Sequence, residues 1–151
     1  MPDLINGMFE SFGSAHTAYF SHYIRGLKGK NATNAEMDEN RADAIRVCNE
    51  LRAFLPNWEI YCPAEVDEIV STLYKSGAIG EKEILAADCQ ILGKRELVFA
   101  YCRNGKTSKG MDVELKHATQ TNIPVIRFND LVEQNLEDVL DVLQMRGLLD
   151  G

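Results

Sequence analysis

The chain has 151 residues, 45% of them hydrophobic and 26% charged, which suits one globular domain with a sizeable core. A net charge of −7 and a pI near 5.0 argue against broad nucleic-acid binding, while a small anionic ligand stays possible wherever positive charge gathers. No apolar stretch is long enough to cross a bilayer, so no membrane partner is expected.

The N-terminal "MPDLINGMFESFGSAHT" lacks the cationic and apolar regions of a secretory signal. Residues 1–17 are read as an arm, residues 18–151 as the domain, and the setting as cytoplasmic. "AYFSHYI" (18–24) is then a first strand, followed by the basic, glycine-containing "IRGLKGK" with Arg25, Lys28 and Lys30. From Asn34 to Leu55, Ala44, Val47, Cys48, Leu51, Phe54 and Leu55 recur at helical spacing, and Pro56-Asn57 ends that helix. "WEIYC" is a second strand, stopped by Pro63. Val66, Ile69, Val70, Leu73 and Tyr74 make one face of a second helix that ends around Gly77. A third helix runs from about Gly80 to Leu92, "ELVFAY" (96–101) is a third strand, and a fourth helix begins near Met111. "IPVIRF" (123–128) is a buried strand, and Asp130 with Glu133 three residues later reads as a capping box for a last helix.

Strands alternating with helices predict an α/β fold: a single-domain, doubly wound parallel sheet of Rossmann or flavodoxin-like type, with helices on both faces. Ligands of such sheets sit beyond the carboxyl ends of the strands. Two basic loops leave those ends, "IRGLKGK" after the first strand and "CRNGKTSKG", with Arg103, Lys106 and Lys109, after the third. They are expected to meet and hold a phosphate or similar anion, helped by backbone N–H groups. "GKT" (105–107) is not a P-loop, because Ala100 replaces its earlier glycine. The four cysteines form no C-x-x-C and read as buried thiols, and neither a metal nor an organic cofactor is expected.

Two acids stand out. Glu114 is placed in the first turn of the fourth helix, where the macrodipole and nearby lysines favour its ionised form and make it a candidate nucleophile. Asp88 falls within the apolar stripe Ile84, Leu85, Ile91 and Leu92, so its carboxylate points toward the sheet and needs donors or a functional site. Paired acids suit glycosyl transfer, one attacking and the other exchanging protons. Arg25 can pair with a phosphate or a carboxylate, Tyr19 can pack or donate a hydrogen bond, and His22 reads more readily as a structural histidine than as a base.

Three segments, "YFSHYIRG" (19–26), "ILAADCQILGKRELVFAY" (84–101) and "SKGMDVELKHA" (108–118), resemble the nucleoside 2-deoxyribosyltransferase-like superfamily, most closely its 2'-deoxynucleoside 5'-phosphate N-hydrolase branch. "YCPAE" (61–65) is similar to often phage-encoded members, for which the setting would be the host cytoplasm. The resemblance implies Glu114 as nucleophile and Asp88 as the sugar-proximal acid. It places Ser108 and Gly110 at the phosphate, Ile24, Arg25 and Gly26 in the first ligand loop, and Tyr19 on the strand beneath. It also implies a nucleotide or nucleoside substrate and a homodimer or larger homo-oligomer. Ser108 stands where transferases carry an aspartate, which would repel a phosphate dianion, so the hydrolase is favoured. His22 and Tyr23 replace a small Gly-Ser pair, Asp112 replaces a glycine, and an extra helical segment precedes the Asp88 helix. All three bear on the substrate pocket. The expected activity is N-glycosidic hydrolysis of a nucleoside 5'-monophosphate. A base-exchanging deoxyribosyltransferase and a binding module without turnover are the alternatives.

Overall fold

A computed structural model of the chain describes residues 16–24, 31–129 and 133–147. Four strands, β1 (His16–Ser21), β2 (Trp58–Tyr61), β3 (Leu97–Tyr101) and β4 (Val125–Phe128), form one sheet in the order β2-β1-β3-β4 with every pairing parallel. Among the described residues five α-helices connect and follow them: α1 (Asn34–Phe54), α2 (Asp67–Lys75), α3 (Glu81–Leu92), α4 (Lys109–Gln120) and α5 (Glu133–Met145). None of the helices among the described residues is long and apolar enough to cross a membrane. The doubly wound α/β architecture read from the sequence is the one observed.

Side chains alternate across the sheet with the period of two that strands impose. Ala18, Phe20, Leu97 and Phe99 face one way and pack with Val47 and Leu51 of α1 and Leu143 of α5. Tyr19, Val98 and Ala100 face the other way, against Leu92 of α3 and Met111 and Leu115 of α4. Burying each such aliphatic or aromatic side chain stabilises the fold by roughly 1.5–3 kcal/mol, and both layers are continuous.

Boundaries shift slightly from the sequence reading. β1 begins at His16 and stops at Ser21, before the expected Ile24, and the His22 ring just beyond it bonds the Tyr23 carbonyl. A 3-10 turn (Pro63–Val66), opened by proline, precedes α2. α4 begins at Lys109, two residues before Met111, because Ser108 caps it. The residues 1–15 of the expected arm, and Asp130 of the expected capping box, lie outside the described residues.

Candidate active site

The crossover through α1 carries the chain from β1 to one neighbour, and the crossover through α2 and α3 carries it back to β3 on the other side of β1. The strand order therefore reverses between β1 and β3, and beyond their carboxyl ends a crevice must open. A cavity of about 720 Å³ lies there, lined by Glu114, Asp88, Ser108 and residues of four helices.

Glu114 reaches it from α4. Ser108 adopts extended dihedrals and its Oγ accepts the Met111 N–H at 3.2 Å, so the helix starts at Lys109. Glu114 consequently lies in the second turn, not the first. It occupies the inward stripe with Met111, Leu115 and Ala118, and is only 5% exposed. β1 supplies its partners. The Tyr19 hydroxyl donates to Oε2, and the Ser21 hydroxyl donates to Oε1 at 2.8 Å. The strand pleat places residues 19 and 21 on the same face, which is why both hydroxyls reach one carboxylate.

Burial pushes the Glu114 carboxyl up to about 7; the Tyr19 hydroxyl draws it down, Asp88 adds to the rise, and Ser21 draws it down again. The expected dominance of helix dipole and lysines is thus corrected: desolvation outweighs them, since the dipole acts strongly only over the first turn. Asp88 lies half-buried on α3 in the same cavity, and burial raises its carboxyl to about 6. The two acids named from the sequence share one space.

The remaining candidates divide. Ile24, Ser108, Gly110, Asp112 and His22 line the cavity. Asp112 also accepts from the Thr107 hydroxyl. His22 is buried, with Nδ1 2.8 Å from the Tyr23 carbonyl and Nε2 taking the Ala64 N–H at 3.2 Å. That backbone donor makes Nε2 an acceptor and Nδ1 the donor to the Tyr23 carbonyl, so the ring ties the end of β1 to the turn after β2. Tyr19 lies fully buried beside Glu114 and acts through it instead of lining the cavity. Tyr23, expected at the substrate, instead donates to the carbonyls of Lys106 at 2.8 Å and Arg103 at 3.1 Å, clamping the loop before α4. Arg25 and Gly26 lie outside the described residues, as do Lys28 and Lys30.

Of the two cationic loops expected to meet, the first has its cations outside the described residues, and the second divides. Arg103 turns to α1, donating to Asn40 Oδ1 at 2.5 Å with its Nε 3.4 Å from Asp43. Among the described residues the cavity carries three cations, Arg41, Lys75 and Lys109, against five carboxylates, Asp67, Glu81, Asp88, Asp112 and Glu114. Arg41 already pairs with Asp67 at 2.8 Å. Of the described cations that the sequence assigned to the pocket, Lys109 lines it and Arg103 is taken by α1.

Ser21 is the functional residue that sequence reading passed over. The signal was available: a small hydroxyl two positions after Tyr19 on a buried strand must find a partner on the same face. No family model, curated protein or solved structure matches the chain in comparison with known proteins.

Proposed function

We propose that the protein is an N-glycosidase that cleaves the base–sugar bond of a nucleoside 5'-monophosphate, with Glu114 as nucleophile. The carrying observation is a buried carboxylate, held on both oxygens by hydroxyl donors, facing the same cavity as a second acid.

The chemistry follows from that arrangement. Tyr19 and Ser21 stabilise the ionised carboxylate and fix its direction, so that one oxygen meets C1' without reorganising. As the C1'–N bond breaks through an oxocarbenium-like transition state, its electron pair leaves with the base, and Asp88, raised to about 6, delivers the proton. A glycosyl ester of Glu114 results. Water, deprotonated by Asp88, then attacks C1' and releases the sugar phosphate and the free carboxylate. The Ser108 hydroxyl, Lys109 and the N-terminus of α4 supply the donors for the phosphate. The resemblance of the three segments to the nucleotide N-hydrolase branch supports the same assignment.

One observation favours a second reading. Among the described residues the cavity wall holds more carboxylates than cations, which suits an uncharged nucleoside, the substrate of a deoxyribosyltransferase, better than a phosphate dianion. The test is a panel of nucleosides and their 5'-monophosphates, each with and without a second free base, followed for base release and exchange. Wild type and Glu114→Gln are run together. Release from monophosphates alone, lost in Glu114→Gln, is the expected result. Exchange with free nucleosides would establish the transferase, and no release from any compound would end both readings.

A further inference from the structure

The core explains four of the helices and leaves α2 unexplained. None of its nine residues is buried; Ile69 is 65% exposed and Tyr74 40%. A helix of that length does not persist in water on propensity alone, so it needs a surface to cover. Asp67, Val70, Ser71 and Tyr74 recur at i, i+3, i+4 and i+7, one face of the helix, and all four line the cavity that holds Glu114 and Asp88. The ion pair from Arg41 to Asp67 anchors the beginning of this face to α1. From α3, Ile84 and Leu85 line the same cavity, one turn before Asp88. Two helices therefore give apolar side chains to a space whose other walls carry charge. Such a slot matches a flat heterocycle, whose faces are apolar and whose edge is polar.

We propose that α2 is the wall that recognises the leaving base. Val70 and Tyr74, with Ile84 and Leu85, take the faces of the planar ring whose bond to C1' Glu114 attacks. Ser71, on the same helical face, offers its hydroxyl to the ring edge. The cavity face of α2 becomes buried when the base is bound. This rests on the N-glycosidase reading and adds to it the element that selects the aglycone.

The full-length chain is titrated with adenine, guanine, cytosine, thymine and uracil, and separately with ribose 5-phosphate and deoxyribose 5-phosphate, as wild type, Tyr74→Ala and Tyr74→Phe. Tyr74→Ala is expected to weaken binding of the preferred base at least tenfold, Tyr74→Phe to keep it, and both to leave sugar phosphate binding unchanged. Saturating base is also expected to slow tryptic cleavage after the exposed Lys75 at the end of α2, and sugar phosphate is not. Equal base affinity in wild type and Tyr74→Ala, an equal loss for both ligand types, or cleavage indifferent to base overturns the proposal. If wild type still releases base from nucleotides in that case, the N-glycosidase reading survives the loss. Should wild type neither release nor bind any base, both fall together.

Discussion

Glu114 is an expensive residue for the fold. Its carboxyl titrates near 4.5 when unperturbed and at about 7 when buried beside Tyr19 and Ser21. Between those values the folded state keeps a proton that the unfolded state has released, so stability falls as pH rises through this window. The shift corresponds to roughly 3 kcal/mol at the alkaline end. Glu114→Gln, which keeps the shape and cannot ionise, should therefore gain stability over wild type progressively between pH 5 and pH 8. Urea unfolding at a series of pH values checks this; a difference that does not change with pH would count against a buried, titrating carboxylate. The two hydroxyls pull in the opposite direction. Removing either by Tyr19→Phe or Ser21→Ala deletes a hydrogen bond to a charged group worth about 1.5–3 kcal/mol. The acidic limb of the pH–rate profile should then move up by about 1–2 pH units, and peak activity should fall, because Asp88 must still hold its proton. At this scale the sequence disclosed the acids but not their state. Asp88 was visible because it joins an apolar stripe at helical spacing, and Glu114 because it follows a basic loop near the start of a helix. Their raised pKa values depend on burial depth and on the hydroxyls across the sheet, which no local window contains.

The element that sets the geometry is α4, and Ser108 sets α4. As N-cap it fixes the first residue of the helix and hence the direction of Glu114; the resemblance also gives it the phosphate. The two roles separate by substitution. Ser108→Ala should cost about 1 kcal/mol through the lost cap and reduce activity on every substrate. Ser108→Asp retains a capping oxygen of similar quality, so its stability should stay near wild type while preference shifts from monophosphates toward free nucleosides. Unfolding midpoints and the ratio of kcat/KM for a nucleoside and its monophosphate read the two effects apart; an unchanged ratio in Ser108→Asp would remove the phosphate from this position. Most elements were legible because the apolar periods are long: the repeat of α1 runs from Ala44 to Leu55 and β3 is an unbroken apolar run. The errors fell at ends. "SKGMD" hid the start of α4 because Gly110 sits inside the helix, and β1 ended at Ser21, before His22, whose ring meets the Tyr23 carbonyl and the Ala64 N–H. The amphipathic pattern of α2 was read correctly as a helix, yet the pattern does not say whether such a face meets core or cavity.

For the whole molecule, the sheet order decides where chemistry can occur. The reversal between β1 and β3 brings α3 and α4 to one face and opens the crevice where Asp88 and Glu114 meet, although they lie twenty-six positions apart. Alternation of strands and helices was enough to predict this. Charge placement was not, because long cationic side chains choose partners by three-dimensional proximity: Arg103 joins Asn40 and Asp43, and Arg41 joins Asp67. The sheet core and the site should also separate energetically. Leu51, fully buried on the α1 side of the sheet, is remote in layer from Glu114. Leu51→Ala should lose about 2–5 kcal/mol of stability and leave the proposed pH–rate profile of the surviving folded protein in place, as thermal unfolding and kinetics at low temperature would show.

The central claim is that the Glu114 carboxylate forms a bond to the sugar. A 2'-fluorinated arabinonucleoside 5'-monophosphate destabilises the oxocarbenium-like transition state and slows release of the glycosyl ester, so peptide mass spectrometry of the quenched protein can find where the sugar is held. The expected result is one equivalent of fluorinated sugar phosphate on Glu114, with base released in equal amount and no adduct in Glu114→Gln. Base release with the sugar attached to a different residue, or with the peptide carrying Glu114 unmodified, would contradict it.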